Sequence, residues 1–535
     1  MWRHDYLPIA DNLALSAFAA AFPIFILLLL IGVLRKPAWI AALSGLAAAA
    51  AIAIGVYDMP VRLAANSIGY GAAFGLLPIG WIVYWAIVLY RLTVETGQFE
   101  IIKDSIGGLT PDRRLQAMLI AFAFGAFIEG AAGFGTPVAV AAAMLAGLGF
   151  SPFYAAGICL LANTAPVAFG SIGTPIVTLA GVTGLPELQL SAWAGRLCAP
   201  ISVFIPAYLI LVMGGRRALR GVLPAAAVCG LSFAALQLLV SNHVGPQLTD
   251  IIASLGALVS LVALLRYWRP ADSFQLPGET SGTLVPERHD LLATLRAWSP
   301  YMFLVLFVLV WGSPWTKPLL DRATLPIPWA GLHNQIERVI PVVTEPTPYA
   351  AIFSFNWLSA SGTACLLATI VAAIILRVSP MRYLRLLGSV ARQLFFSLLT
   401  IAAVLALAYL MNYSGATVTL GLAFAATGAL FPFFSALLGW LGVFLTGSDT
   451  SSNALFGNLQ VVTATRLGFD PAIMAAANSA GGVMGKMISL QSIAVAVAAT
   501  GMARAEEGML FRFTFRHSVF LACLLGLLTT LYAYL

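Results

Sequence analysis

Stretches of apolar residues long enough to cross a lipid bilayer recur along nearly the whole chain, beginning at Leu13. A single α-helix needs about 20 mostly apolar residues to span roughly 30 Å of hydrocarbon. Charged residues make up 9% of the 535 residues, whereas soluble domains average about 25%. The sequence therefore predicts an all-α integral membrane protein whose solvent is the lipid bilayer.

Ten of these stretches have the length and the polar flanks of simple membrane spans. They cover residues 14–34, 38–57, 70–90, 193–213, 219–240, 250–267, 299–312, 349–376, 394–411 and 517–535. Asp5 and Asp11 precede the first stretch and no small-residue cleavage site is present, so we expect a retained span and not a cleaved signal peptide. With the two irregular regions described next, the chain is expected to contain about 12 spans plus two hairpins.

The first irregular region covers residues 115–183. Segments 115–128 and 138–150 are too short to span the bilayer, and the Gly-rich stretch Gly130-Ala-Ala-Gly-Phe-Gly-Thr-Pro137 separates them. This pattern predicts a re-entrant hairpin over residues 115–150. The following segment, 152–183, predicts one broken span, because Asn163-Thr-Ala-Pro166 and Gly170-Ser-Ile-Gly-Thr-Pro175 interrupt it.

The second irregular region follows the same plan. It predicts a hairpin over residues 433–466 around a polar turn at 447–453, and then a broken span over 471–499 interrupted at 478–482. Thr136 and Asn163 are 27 residues apart, while Thr450 and Asn478 are 28 apart. The matched spacing indicates that the two regions are internal repeats.

Two smaller observations extend this match. Asn163 to Gly170 and Asn478 to Gly485 are both 7 residues. The pair Thr96-Gly97 after one span resembles Ser414-Gly415 after another. We therefore divide the chain into an N-terminal span (1–37), a first repeat (38–215), connecting helices and loops (216–348) and a second repeat (349–535).

Most basic residues of the connecting loops fall on one side of this scheme, among them Arg113, Arg216, Arg288 and Arg504. An excess of Lys and Arg marks the cytoplasmic side of a membrane protein. Both termini are then outside, and the two hairpins enter from opposite faces, so the repeats are inverted, as in many secondary transporters. Topology also explains the net charge of +7 better than a nucleic-acid partner does.

Irregular backbone at membrane depth is tolerated only where protein or a water-filled cavity satisfies its polar groups. A single Gly or Pro interruption is usually a local kink, which is the alternative for each break taken alone. Four interruptions at matched spacing instead favour an internal cavity that holds a substrate.

The chemistry of the breaks favours an anion. Thr136 is suited to cap a half-helix and Pro137 to follow it, so unpaired backbone N–H groups would face the cavity and attract negative charge. Thr174-Pro175 repeats this pattern. At the second tip, capping groups are offered by Ser448, Asp449, Thr450 and Ser451. A small carboxylate fits such a site.

Three ionisable residues fall in these regions, namely Glu129, Asp449 and Lys486. Ionisable groups at membrane depth are costly and are functional candidates by default. The structural alternatives are a buried ion pair between Glu129 and Lys486 and a simple capping role for Asp449. The sequence alone leaves both alternatives open.

Other chemistry is disfavoured by spacing. The five cysteines lie in apolar segments and the five histidines are scattered, without the spacing of a metal or catalytic site. The Gly133-Phe-Gly-Thr136 stretch lacks the lysine of a nucleotide-binding loop. We therefore expect no catalytic residue, no metal, no cofactor and no ATP-driven step, which disfavours a membrane enzyme.

The motifs together resemble the bacterial L-lactate permease family nearly from end to end. The resemblance rests on Phe127-Ile-Glu-Gly-Ala-Ala-Gly-Phe-Gly-Thr-Pro137, Asn163-Thr-Ala-Pro-Val-Ala-Phe-Gly170, Leu445-Thr-Gly-Ser-Asp-Thr-Ser-Ser-Asn-Ala-Leu455 and Gly485-Lys-Met-Ile-Ser489. It implies symport of L-lactate or a related 2-hydroxymonocarboxylate such as glycolate with a proton, in the bacterial cytoplasmic (inner) membrane. Family members commonly have Ala where this chain has Thr136, which puts substrate preference in question.

On this reading the two tips and the broken spans meet to bind the substrate. One half would come from Gly130, Gly133, Gly135, Thr136, Asn163 and Thr164, and the other from Asp449, Thr450, Ser451, Ser452, Asn453, Asn478 and Lys486. Lys486 is the expected counter-ion of the carboxylate, and Glu129 or Asp449 the expected proton carrier.

Rival functions remain at this stage. Unwound carbonyls at the breaks would also suit sodium coupling, and another organic acid would suit the same site. An anion channel is a remote rival from a different class. The oligomeric state stays open, because exposed apolar surface faces lipid as readily as a partner.

Overall fold

The computed structural model describes residues 1–133, 135–272, 274, 287, 289–313, 315–341, 343, 345–503 and 506–535. Arg288 and Arg504 of the loop-charge argument lie outside these residues. Within the described ranges, 11 helical segments are long and apolar enough to cross a membrane, or 12 if a bent pair is counted as one span. The prediction of an all-α membrane protein with about 12 spans is confirmed.

The helices up to residue 267 are numbered in chain order. They are α1 (Leu13–Leu28), α2 (Ala38–Gly55), α3 (Val61–Phe74), α4 (Trp81–Glu95), α5 (Gln98–Gly107), α6 (Arg113–Gln116), α7 (Gly125–Ala131), α8 (Thr136–Gly147), α9 (Pro152–Ala162), α10 (Gly170–Thr183), α11 (Glu187–His243) and α12 (Thr249–Tyr267). Short π-helical or 3-10 turns link α3 to α4, α6 to α7 and α9 to α10. The 57-residue α11 departs from helical geometry at Gly215 and Val222 and corresponds to the two predicted spans 193–213 and 219–240.

The second series of helices follows a loop. They are α13 (Leu291–Gly312), α14 (Lys317–Asp321), α15 (Ser361–Ile375), α16 (Pro380–Ser414), α17 (Ala416–Phe424), α18 (Phe431–Thr446), α19 (Asp449–Leu467), α20 (Pro471–Lys486), α21 (Leu490–Thr500) and α22 (Glu507–Tyr534). Helices α18 and α19 form the second hairpin, as α7 and α8 do for the first.

The same series of elements occurs twice. Each begins with a 35-residue helical segment, Val61–Glu95 or Pro380–Ser414. A glycine in the left-handed region follows, Gly97 with φ 74° or Gly415 with φ 87°, where a side chain would be strained. A short helix, a hairpin, a broken helix and a long last helix then come in the same order.

The two series interlock. Helix α2 packs against α16, and α15 packs against α4. At the hairpins, α8 contacts α21 and α19 contacts α10. Each hairpin therefore contacts the broken helix of the other series, which brings residues more than 250 positions apart together.

The first broken span is confirmed at both predicted interruptions. Its two helical pieces, Pro152–Ala162 and Val167–Thr183, are bent by 64°. Ser171, Ile172 and Gly173 all have positive φ values, from 47° to 72°. A β-branched residue such as isoleucine rarely adopts this conformation, so the second interruption is a strained turn held by its surroundings.

The predicted interruption at residues 478–482 is wrong. Helix α20 runs unbroken to Lys486, and the chain leaves the helix only at 487–489. The small residues serve packing instead: a β-carbon on Gly481 would lie 2.0 Å from the carbonyl oxygen of Ala436, and one on Gly439 would lie 1.8 Å from that of Asn478. Glycines on facing positions let α18 and α20 approach closely, as in other membrane helix pairs.

The first hairpin also differs in length from the expectation. The helical segment runs from Arg113 to Ala131, 19 residues, and is long enough to be a candidate span, so the expectation that 115–128 is too short was wrong. Its partner α8 has 12 residues and is short as expected. Re-entry of this hairpin to its own side stays a prediction.

Within the described ranges, five short strands lie near the N-terminus and in the loop that precedes α15. They are β1 (Trp2–Arg3), β2 (Leu325–Pro328), β3 (Ile336–Arg338), β4 (Thr347–Pro348) and β5 (Ile352–Phe355). β3 pairs with β1 and β4, and β2 pairs antiparallel with β5. The predicted span 349–376 therefore starts too early, because strand pairing takes up residues 352–355 and the helix begins at Ser361.

Candidate functional site

The first hairpin tip is a glycine turn. Gly133 and Gly135 have φ values of 63° and 81°, and Gly135 takes the N-cap position of α8 without a side-chain cap. Thr136 is the first helical residue, so the prediction that its hydroxyl caps the helix is wrong. The cap position here needs a left-handed backbone, which glycine adopts without strain.

Glu129 lies on α7 just before this tip and is 4% exposed. Its Oε2 atom accepts no hydrogen bond from the described residues. Gly170 of the broken span makes room for it, since a β-carbon there would lie 2.6 Å from Glu129 Oε1. The amide of Asn163 lies beside this carboxyl group without hydrogen-bond geometry, and both its polar atoms lack partners among the described residues.

The backbone of the first break is only partly satisfied by side chains. Gln237 Nε2 donates to the carbonyl of Ala165 at 3.0 Å, and Thr164 bonds back to Leu161 within its own turn. The Thr174 hydroxyl donates to the carbonyl of Ser171 at 2.5 Å and accepts no backbone N–H among the described residues, so the prediction that Thr174 caps the following helix is wrong. The Ser171 hydroxyl has no hydrogen-bond partner among the described residues.

More of the polar groups at the second tip, residues 447–449, have hydrogen-bond partners than at the first. Ser448 is the N-cap of α19 and accepts from Ser451 N at 3.2 Å, which confirms its predicted capping role. Asp449 instead accepts from the Ser479 hydroxyl at 2.6 Å through Oδ2, so the capping alternative for Asp449 is wrong. Its Oδ1 atom lacks a hydrogen-bond partner and faces Gly482, where a β-carbon would lie 2.3 Å away.

A chain of buried amides extends from this tip. Asn453 donates to Ser479 at 3.1 Å, Asn478 donates to Asn453 at 2.9 Å, and Gln460 donates to Asn478 at 3.0 Å. Asn453 Nδ2 also donates to the carbonyl of Pro175 at 3.1 Å. The second tip thereby satisfies a carbonyl of the first broken span.

Lys486 ends α20 between the two carboxylates. Its Nζ donates to the carbonyl of Gly447 at 2.5 Å, and its charge interacts with both Glu129 and Asp449. Among the described residues, no carboxylate oxygen forms an ion pair with it within 4 Å. The structural alternative of a direct Glu129–Lys486 ion pair is therefore wrong.

The other candidates take different places. Gly130 packs against α12, Ser452 donates to the carbonyl of Gly439 at 3.2 Å, and Thr450 and Ser451 are half-buried. The predicted residues of each half thus cluster at their own tip and break, with Lys486 and Asn453 reaching toward the other half.

One buried carboxyl group was missed by the sequence reasoning. Asp250, in the first turn of α12, is 0% exposed, and neither carboxyl oxygen has a hydrogen-bond partner in the described part of the chain. It lies against Gly130, where an added β-carbon would be 2.8 Å from Asp250 Cβ. In the sequence it looks like an ordinary acidic residue at a helix start, so no local signal marks it.

A cavity of about 530 Å³ lies at the C-terminal ends of α10 and α19. Its lining includes Arg338, Arg466, Tyr409, Asn412 and Asn458. Burial lowers the pKa of a nearby histidine, His4, to about 4, so the two arginines supply the positive charge near neutral pH. The helices α10 and α19 run from this cavity to the Asn453–Pro175 contact.

A family profile described as L-lactate permease matches residues 16–535. The chain belongs to the L-lactate permease family. An L-lactate permease of Bacillus subtilis (strain 168) is 45% identical over 99% of this chain and 98% of its own length. A glycolate permease GlcA of Escherichia coli (strain K12) is 44% identical over 100% of this chain and 98% of its own length.

Among solved structures, MtrF of Neisseria gonorrhoeae aligns with a TM-score of 0.47 and 15% identity, over 89% of this chain and 85% of its own. For this L-lactate permease family member, the family match spans both hairpin tips, both breaks and Asp250. The chain is thus a multi-pass membrane permease whose buried polar groups gather where its two series of helices meet.

Proposed function

We propose that the protein imports a small 2-hydroxymonocarboxylate, L-lactate or glycolate, together with a proton. The relatives named for these substrates support the substrate class. One structural observation carries the proposal: each hairpin meets the broken helix of the other series, and one buried lysine sits among two carboxylates at that meeting point.

The site offers an anion several donors that are not in use. Among the described residues, the amide of Asn163 and the hydroxyl of Ser171 have no hydrogen-bond partner, and Lys486 has one backbone carbonyl as partner although an ammonium has three donors. Buried donors without partners cost free energy, and a bound carboxylate with its 2-hydroxyl group would satisfy them. Lys486 then acts as the counter-ion of the substrate.

Charge balance favours a proton as the coupling ion. With Glu129 and Asp449 ionised, the site around Lys486 carries a net negative charge before an anion enters. Adding a second uncompensated charge in a low-dielectric interior is costly. Protonation of Glu129 or Asp449 removes that cost, so substrate and proton bind together.

The duplicated series supports alternating access. We propose that residues 38–215 and 349–535 are inverted repeats that rock about the shared site, with both termini outside the cytoplasmic membrane and the arginine-lined cavity as the outer entrance. The connecting segment 216–348 then contributes the second part of α11, whose Gln237 donates to Ala165 of the first break, and α12.

The test is uptake of labelled L-lactate and glycolate into proteoliposomes containing the purified protein, with an imposed inward proton gradient. Accumulation that a protonophore abolishes is the expected result. Accumulation that requires a sodium gradient would instead identify sodium as the coupling ion. Conductance without accumulation would indicate a channel. No movement of either acid under any gradient would overturn the proposal.

A further inference from the structure

Asp250 occupies an unusual position for an acidic side chain. It lies in the first turn of α12, inside a candidate membrane span, and is completely shielded from solvent. Neither oxygen has a hydrogen-bond donor, and no Lys, Arg or His of the described residues forms an ion pair with it. Apart from the N-terminus of its own helix, nothing among the described residues stabilises a negative charge on Asp250.

The groups that face Asp250 offer its carboxylate no compensating charge. From α7 the negative charge of Glu129 opposes its ionisation, whereas the Cys198 thiol of α11, which is also within electrostatic range, is neutral. Neither group is a cation. A buried carboxylate without a partner costs several kcal/mol, whereas a neutral carboxyl group is far cheaper to bury. The environment therefore favours the protonated form of Asp250.

Helices α7 and α12 approach each other closely at Gly130, which has no side chain. Gly130 is the residue directly after Glu129, and any side chain at that position would collide with Asp250 Cβ and with Ile251. The loop before α12 also touches the strained turn of the first break, since a β-carbon on Gly173 would lie 2.7 Å from Pro246. Asp250 thus adjoins α7 directly, and the loop that precedes it adjoins the first break.

We propose that Asp250 and Glu129 form a coupled pair of proton-binding carboxyl groups where α7 packs against α12. Glu129 is on α7 and faces the substrate site, whereas Asp250 is on α12 and packs against α7 at Gly130. Because each charge opposes the other, the pair takes up its protons in two linked steps. The pair, and not Glu129 alone, then holds the coupling proton, and Asp250 takes part without touching the substrate, which extends the proposed symport and rests on it.

The decisive variant is Asp250→Asn, which keeps the size and neutrality of a protonated carboxyl group. Under one pH unit of inward gradient, one-for-one symport by the unaltered protein accumulates lactate about tenfold. The variant should show no accumulation above the external concentration, while exchange of labelled for unlabelled lactate continues. Asp290→Asn is the matched control, because Asp290 is an exposed N-cap of α13 and should leave accumulation unchanged.

Three outcomes overturn the proposal. The first is proton-driven accumulation by Asp250→Asn at the level of the unaltered protein. The second is loss of exchange together with accumulation in a folded variant, which would place Asp250 in the substrate step. The third is that a hydrophobic carbodiimide, used in the second measurement below, does not label Asp250. If the unaltered protein moves no lactate, the proposed function fails instead, and that result is separate.

A second measurement uses the unaltered chain and does not depend on the folding of a variant. Hydrophobic carbodiimides react with protonated carboxyl groups in apolar surroundings, so labelling followed by peptide mass spectrometry reports protonation at each site. We expect labelling at Asp250 that persists to higher pH than labelling of exposed carboxyl groups. No label at Asp250 at any pH would contradict a bound proton there.

Discussion

The two broken helices both depart from regular helical geometry, but they do so at different points along their length. The first is bent by 64° and interrupted twice, with three successive residues in the left-handed region. The second stays helical through its small residues and leaves the helix only at 487–489. The nearby polar groups differ likewise in the described part of the chain. Glu129, Asn163 and Ser171 have atoms without hydrogen-bond partners. Asn453, Asn478 and Ser479 instead bond to one another, and near them only single oxygens of Asp449 and Gln460 lack a partner.

This difference separates a scaffold from a receptive surface. Side chains that already satisfy each other hold a fixed geometry, and they lose free energy if a ligand disturbs them. Side chains without partners gain hydrogen bonds when a ligand arrives. We therefore expect the second half to position the site and the first half to make most of the new contacts with substrate.

Lys486 belongs to neither class. Its ammonium donates a hydrogen bond to the Gly447 carbonyl, and its charge also interacts with Glu129 and Asp449 without a direct ion pair. Removal of one partner of a buried charge interaction costs about 2–5 kcal/mol, so Lys486→Ala should lower lactate uptake by about 30-fold or more. Uptake per molecule of protein in proteoliposomes measures this. Lys36→Ala, at an exposed lysine, is the control, and near-normal uptake by Lys486→Ala would remove that residue from the mechanism.

Close packing in the second half is tested by Gly481→Leu. The added side chain collides with the Ala436 backbone, and overpacking costs about 1–3 kcal/mol or more, so the thermal unfolding temperature in detergent should fall. Gly388→Leu is the matched control, because nothing lies within 4 Å of a β-carbon there. An equal effect of the two substitutions would refute the packing role of Gly481.

The comparison between the halves is sharpest at two asparagines. Asn453→Ala removes three hydrogen bonds, including the one to Pro175, and should lower stability by about 1–3 kcal/mol. Asn163→Ala removes no hydrogen bond present in the structure, so stability should hold while the half-saturating lactate concentration rises. If Asn163→Ala were the less stable of the two, the assignment of scaffold and receptive halves would be reversed.

Thr136 should have the smallest effect. Its hydroxyl does not cap α8, so Thr136→Ala should leave stability unchanged. A single lost hydrogen bond to the 2-hydroxyl group, which L-lactate and glycolate share, would raise the half-saturating concentration of both acids by about threefold. Uptake of each labelled acid over a range of concentrations measures this. A large loss of stability in this variant would show a structural role for the hydroxyl instead.

Much of the fold could be predicted from the chain because the relevant signals are local. Pro166 and Pro175 each remove a helix hydrogen bond, and both predicted interruptions appear at these prolines. The run of small residues at 478–482 led to the same prediction of an interruption, and there the prediction is wrong. Glycine tolerates a helix as well as a break, and the contact with α18 decides between them.

For the site, the sequence correctly identified Glu129, Asp449 and Lys486 as buried ionisable groups. It did not identify their partners. Lys486 takes a backbone carbonyl in place of Glu129, and Asp449 takes Ser479 in place of its own helix end. Such choices depend on which helices lie side by side, and no spacing along one chain records them.

The sequence by itself determined that this protein lives in a membrane, the number of its spans and the positions of its two hairpin tips. Hydrophobic length and helix-breaking residues act within a few turns, so the structure of each segment can be predicted from its own residues. Only the tertiary structure decided that each hairpin meets the opposite broken helix and that Asp250 is sealed against Gly130. Burial and partnership arise from segments hundreds of residues apart, and packing alone brings those segments together.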